Sequence, residues 1–330
     1  MDIDERARLW MSTCPIPEDD DSRTRLLNSH SAAYVACCSP HGIDERLELG
    51  GKWFLYAFAM DDWFETRTSL DEIIETCAIM QQMLENPGAP PLTDLPFTEH
   101  FAELIRGFRR YATDIQYDRI VTGYRTYHQG IPWEASYRIA GSPISPTVHP
   151  VIRAWSTGFN AFLSALEVYN DLEIPGNEYA QPAARTLREI TGLLLTWVND
   201  FFSADKDRQQ GGGQNSLVTA LMDHHGYSLT EATVEAITTW NRVMDLYLRL
   251  RNQLAVSAGP ALSRFLEDTG NMITNVIHWH AGNPRYGSQP PMAVTANPPA
   301  PFTGPLPNAV IRSWWDHLTT PDARFETRRQ

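Results

Sequence analysis

The sequence is poor in cysteine, in strand-like alternation, and in positive charge. Cys14, Cys37, Cys38 and Cys77 are its only cysteines and form neither a CxxC pair nor a disulfide-rich spacing. That excludes a disulfide scaffold and fits a reducing, cytoplasmic setting. Lys and Arg number 27 against 40 Asp and Glu, a formal charge of −13, and no Lys/Arg run occurs. A nucleic-acid footprint is therefore lacking, and anionic membrane surfaces are disfavoured as partners. No run of about 18 apolar residues is present, so no membrane-spanning helix is expected. The start, Met1-Asp2-Ile3-Asp4-Glu5-Arg6, is acidic and lacks the apolar segment of a secretory signal. An acidic protein of this kind can hold an anionic substrate only through metal ions or a local basic cluster.

Helical periodicity fills most of the 330 residues, and period-2 runs bounded by hairpin turns are almost absent. The pattern predicts an all-α single domain over 1–330, with no internal repeat. Residues 1–21 read as an irregular lead-in. Helices are expected at about 22–38, 47–65, 69–85, 98–111, 115–140 and 148–172, the last interrupted near Ser156-Thr157-Gly158. A long helix opening at Pro182 follows, with a proline suited to its first turn. Gly211-Gly212-Gly213 is a loop, and two more helices cover about 228–256 and 260–281. From residue 282 prolines accumulate, which marks a loop or cover over 282–330 with one short helix at 311–318.

The long helix ends in Asn199-Asp200-Phe201-Phe202-Ser203-Ala204-Asp205-Lys206-Asp207. Asn199, Ser203 and Asp207 are spaced i, i+4, i+8. At about 100° per residue each step of four drifts only about 40°, so the three share one helix face. An amide oxygen, a hydroxyl and a carboxylate are hard donors that suit Mg²⁺. Lys206 beside them makes sense if an anion binds there too.

A second acidic face lies at Asp61, Asp62 and Glu65, after an aromatic run. Phe54 and Phe58 precede Asp61 by seven and three residues, on its own face. Like charges this close repel unless they share a counter-ion, and a divalent metal is one solution. Asp61-Asp62 alone would pass for a solvated helix end. Two oxygen-rich faces, each following an apolar run, can instead flank one cavity in a helical bundle.

These residues resemble the class I terpene synthases of microbial type. Asp61-Asp62-Trp63-Phe64-Glu65 is similar to the family's aspartate-rich DDxx(D/E) motif. Residues 199–207 resemble its NDxxSxxKE triad, with Asp207 where Glu is usual. Arg285-Tyr286 resembles its C-terminal RY pair. Arg153, 46 residues before Asn199, resembles its pyrophosphate-sensing arginine, and Trp133-Glu134 with Arg138 resembles its wE…R stretch. The resemblance spans roughly residues 45–290.

It implies one helical bundle around a central aromatic pocket, with three Mg²⁺ ions holding the diphosphate of a linear isoprenoid. Asp61 would be the principal metal ligand of the first motif, with Asp62 and Glu65 supporting it. Asn199, Ser203 and Asp207 would hold a further ion. Arg153, Lys206, Arg285 and Tyr286 would contact the diphosphate. Phe54, Phe58 and Trp279 are candidates for the pocket wall, where aromatic faces can stabilise a cation. Thr157 and Gly158 follow the sensing arginine where the family places a small effector residue. A helix break is expected there, with a backbone carbonyl facing the pocket.

The implied reaction ionises a prenyl diphosphate, farnesyl diphosphate favoured, and cyclises the cation to a terpene. A C20 substrate and a chain-elongating prenyltransferase are the alternatives, the latter disfavoured by the missing second DDxxD. Antiparallel homodimers are common where the resemblance holds. Other signals were set aside. Asp205 should point outward from the triad. His224-His225 and the His278/His280 pair lack the partners of a zinc site and are expected to face solvent or core. Gly211–Gly213 lacks a following GK[ST], and Cys37-Cys38 reads as two buried small residues.

Overall fold

The computed structural model describes residues 2–90, 95–209, 215–281, 283 and 308–318, and of 203–209 the backbone alone. The described residues form fourteen α-helices, one 3₁₀ helix and no strand. In chain order these are α1 (Ile3–Ser12), α2 (Asp20–Leu27), α3 (Ser31–Cys38), α4 (Asp44–Glu65), α5 (Leu70–Glu85), α6 (Thr98–Tyr111) and α7 (Asp114–Ala140). Then come α8 (His149–Ser156), α9 (Phe159–Tyr169), α10 (Gly176–Tyr179), α11 (Pro182–Gln209), α12 (Leu217–His225), α13 (Leu229–Ala255) and α14 (Pro260–Ala281). The 3₁₀ helix is Arg312–His317.

Helix α11 is central because its middle, residues 190–198, carries no charge and is buried on every side. Leu193, Leu194, Leu195 and Trp197 are fully buried, and Val198 nearly so. A helix apolar all round must be enclosed, and α8, α9, α13 and α14 pack against it. On the other side α7 runs beside α5, α8 and α9, while α4 lies against α1, α3, α6 and α9. Local chemistry sets the ends. Thr113 and Gln116 make a capping box at the start of α7, and Ser228 and Glu231 make one at α13.

The expected break after Arg153 is present. Helix α8 stops at Ser156, and α9 restarts from Gly158, whose φ of +72° suits glycine. Gly130 lets α7 approach this break, since a Cβ there would sit 2.4 Å from the Trp155 carbonyl carbon and 2.5 Å from the Ser156 nitrogen. The Gly158 carbonyl accepts the Ala161 and Phe162 N–H groups, so it opens α9.

Four expectations need correction. The lead-in 1–21 contains helix α1, capped by Asp2 and anchored by buried Ala7 and Met11 one turn apart. The helix expected at 22–38 is two, because His30 turns to φ 51° between α2 and α3. Helix α12 fills a stretch with no expected element, its N-terminus capped by Ser216. Cys38 is buried but Cys37 is exposed. The short terminal helix is a 3₁₀ helix, tied to α11 by Trp314 Nε1 donating to Glu189 at 3.1 Å. No helix among the described residues is long and apolar enough to cross a membrane.

Candidate active site

Helices α4, α7, α8, α9, α11 and α14 surround a cavity of about 810 Å³, with the segment around α2 also contributing. Helix α4 lines it from Trp53 and Phe54 through Phe58 to Asp61, Asp62 and Glu65. At 1.5 Å per residue, that is a wall about 18 Å long, aromatic at one end and carboxylate at the other. Arg138, one turn after Glu134 on α7, donates to the carbonyls of Arg67 (2.9 Å) and Phe64 (3.0 Å). It ties the carboxylate end of α4 and the turn just after it to α7.

The aromatic end is closely packed. Phe54 lies 4.9 Å from Phe58 and 5.1 Å from Phe162, and Phe58 stacks on Trp279 at 5.7 Å and 19°. Trp53 Nε1 donates to the Tyr124 hydroxyl. Tyr127 lines the same wall with its hydroxyl pKa pushed well up, chiefly by burial. These rings are the cavity wall as well as core.

The polar end centres on Arg153. Its Nη1 donates to both Glu134 oxygens at 2.8 Å, and its Nη2 donates to Asp200 Oδ1 at 2.5 Å. Its side chain is 12% exposed and that of Asp200 2%. Burial works against the guanidinium charge, but the Asp200 and Glu134 carboxylates outweigh it and raise the pKa above its ordinary value. Burial likewise pushes the Glu134 carboxyl up, and Arg153 brings it net below the usual range. Asn215 Nδ2 donates to Glu134 at 3.2 Å, and its carbonyl lies 2.9 Å from His149 Nε2. Burial pushes the His149 pKa down to about 3.

The sequence-derived residues fall into two groups. Asp61, Asp62, Glu65, Asn199, Arg153, Phe54, Phe58, Thr157, Gly158 and Trp279 all line the one cavity. The side chains of Ser203, Asp205, Lys206 and Asp207 lie outside what is described, since only their backbone on α11 is given, and Arg285, Tyr286 and the Gly211–Gly213 loop lie outside the described residues. Asp200, Asn215, His149 and His280 were missed. Asp200 carried a signal: it is the only charge between Ile190 and Phe202, and a lone carboxylate in a buried run needs a partner. Thr157 Oγ1 bonds Thr196 Oγ1 at 2.9 Å, which pins the helix break to α11.

The donors fit a hard cation and an anion together. Three carboxylates of α4 and the Asn199 amide border one cavity, an all-oxygen set suited to Mg²⁺. Among the described residues no three His, Cys, Asp or Glu side chains close a metal cage by themselves. Oxygens from elsewhere must complete it, as a diphosphate would. Arg153 supports that reading, because its guanidinium borders the cavity and its side chain keeps 12% exposure.

The sequence model described as "Terpene synthase family 2, C-terminal metal binding" matches residues 52–245, more than half of the chain. The chain is 28% identical over 291 residues to spiroviolene synthase of Streptomyces violens, covering 86% of this chain and 80% of that protein. It is 26% identical to a germacradien-6-ol synthase of Streptomyces pratensis, covering 96% and 92%. It is also 26% identical to an alpha-amorphene synthase of Streptomyces viridochromogenes, described as farnesyl diphosphate cyclizing, covering 84% and 81%. Among solved structures, the SVS_A2 protein from ancestral sequence reconstruction superposes with a TM-score of 0.85 at 26% identity, covering 95% of this chain and 93% of that one.

Proposed function

The chain belongs to terpene synthase family 2, the microbial class I terpene synthases, and from that premise we propose that it ionises farnesyl diphosphate and cyclises the resulting cation. It is a lyase acting on a prenyl diphosphate, and its activity is that of a terpene cyclase. The observation that carries the finer reading is the shared cavity. Asp61, Asp62, Glu65 and Asn199 border the same space as Arg153 and the aromatic wall.

Asp61, with Asp62 and Glu65 in support, and Asn199, with Ser203 and Asp207 following on α11, would hold three Mg²⁺ ions. Bound there, Mg²⁺ supplies neutralisation of the charge that develops on the departing diphosphate. Arg153 borders the cavity and would contact a diphosphate oxygen, with Glu134 and Asp200 fixing the guanidinium before substrate arrives. Such preorganised charge costs no rearrangement during reaction. Lys206, Arg285 and Tyr286 are further contacts for the same anion. Phe54, Phe58 and Trp279 face the cation, each worth about 2 kcal/mol when desolvated, and their packing excludes water that would quench it.

A cavity of about 810 Å³ lies toward the upper part of the usual range of roughly 300–1,000 Å³ for ligand sites. That size favours geranylgeranyl diphosphate as a second reading. The test is incubation with geranyl, farnesyl or geranylgeranyl diphosphate, with Mg²⁺ or with EDTA, followed by mass spectrometry of the extract. A cyclic C15 product with Mg²⁺ and none with EDTA is expected. A C20 product alone moves the substrate to the second reading, and no terpene from any of the three overturns the proposal.

A further inference from the structure

We propose that His280 is a positioning residue: its imidazole decides which way the Asn199 carboxamide faces, turning Oδ1 rather than Nδ2 toward the cation site. The proposal rests on the reading of Asn199 as a metal ligand.

The two ends of a carboxamide have nearly the same shape and opposite chemistry. Only the oxygen can bind a hard cation, and the NH₂ turned the same way would oppose it. Sterics alone do not separate the two orientations, so an asparagine ligand needs a neighbour that does.

His280 has the required asymmetry. Its Nδ1 lies 2.7 Å from the Val276 carbonyl, one turn earlier on α14. A carbonyl only accepts, so Nδ1 carries the hydrogen. In the neutral ring Nε2 is then an acceptor. That nitrogen lies 3.2 Å from Asn199 Nδ2, which donates to it. The reversed amide would set Oδ1 against Nε2, two acceptors face to face. The order Asn199 to His280 to Val276 therefore runs one way only.

The ring is held in place. His280 is 3% exposed, with Phe202 centred 5.3 Å away and Trp279 packed edge-on at 4.8 Å. Trp279 is fixed in turn by Nε1 donating to the Ser29 carbonyl at 2.8 Å. Asn199 and His280 both border the cavity. His278, two residues away, is exposed, so the pair seen in the sequence divides into one solvent-facing histidine and one with this task. Groups that orient a ligand without touching the metal commonly change metal affinity about 10–100-fold when removed.

Three changes separate orientation from packing. His280→Phe keeps an aromatic ring but removes the acceptor, His280→Leu is a second apolar variant should the first not fold, and His280→Gln returns an acceptor. The readouts are the rise in melting temperature produced by Mg²⁺ with inorganic diphosphate, and the Mg²⁺ concentration for half-maximal turnover. His280→Phe is expected to shrink the melting shift and raise the Mg²⁺ requirement about tenfold or more. His280→Gln should recover most of both. A wild-type Mg²⁺ requirement in folded His280→Phe or His280→Leu overturns the proposal. So does a folded His280→Gln variant as impaired as His280→Phe, which would mark packing alone. Wild-type protein with no melting shift under Mg²⁺ and diphosphate overturns the metal-ligand reading, and this one with it.

Discussion

Two buried arginines share the α7–α9 side of the molecule and solve the same problem in different ways. Arg119 donates to Glu167 at 2.5 Å and to the Ile174 carbonyl at 2.9 Å, and its guanidinium lies 3.8 Å from the Tyr179 ring centre. The Ile174 N–H returns to the same Glu167 oxygen at 2.7 Å. One cation meets one carboxylate and a loop backbone away from the cavity, with Glu167 Oε2 buried and without a hydrogen-bond partner among the described residues. Arg153 faces two carboxylates, Glu134 and Asp200, keeps a buried donor without a partner among the described residues, and borders the cavity. Both arginines are held by the fold, and only the second stands beside the cavity.

The largest expected effect is a loss of activity at one arginine and not at the other. Arg153→Gln should lower kcat/KM about 10²–10³-fold and also cost stability, because Asp200 and Glu134 lose their counter-charge. Arg119→Gln should cost about 3–5 kcal/mol of stability because Glu167 is left as an uncompensated buried charge, with activity per folded molecule retained. Thermal melts and steady-state kinetics on both variants check this, and equal loss of activity in both would erase the distinction. Glu134→Gln comes next. It loosens Arg153 without removing it, so a fall of up to about 100-fold in kcat is expected from misplacement of a catalytic group, again read by steady-state kinetics.

Tyr179→Leu sharpens the Arg119 side of the comparison. Tyr179 is sandwiched between Arg119 and Arg188 at 3.8 and 3.7 Å. Losing both stacks should cost about 1–2 kcal/mol in chemical denaturation, with no change in kcat. The smallest effect concerns pH. His149 beside Asn215 has its pKa pushed down to about 3 by burial. Between an unfolded-state value near 6.5 and about 3, the unfolded chain binds a proton that the folded chain refuses. Stability from this group therefore falls as pH drops below about 6.5, by at most about 1.4 kcal/mol per unit. Denaturation curves at pH 6.5 and 5.5 should show the fall, and His149→Gln should reduce it.

How far the site was legible follows from the range of the contacts. The faces of α4 and α11 could be read because they are local: Asp61, Asp62 and Glu65 share one helix end, and Asn199, Ser203 and Asp207 recur at helical spacing. The break at Gly158 was legible because a glycine after a polar pair stops a helix. The cluster of Glu134, Arg153, Asp200 and Asn215 was not, because α7, α8, α11 and the start of α12 must be docked before those side chains meet. His280 read as an idle histidine since its two partners, Asn199 and Val276, lie on different helices. Helix α1 escaped notice for the opposite reason. Its surface is so charged that two buried residues, Ala7 and Met11, are all that mark its inner face.

Calorimetric titration of inorganic diphosphate into the protein at saturating Mg²⁺ tests the difference between the two arginines most directly. Binding to wild type and to folded Arg119→Gln with the same affinity, and loss of at least about tenfold in Arg153→Gln, is the predicted result. Wild-type affinity in Arg153→Gln would contradict the account.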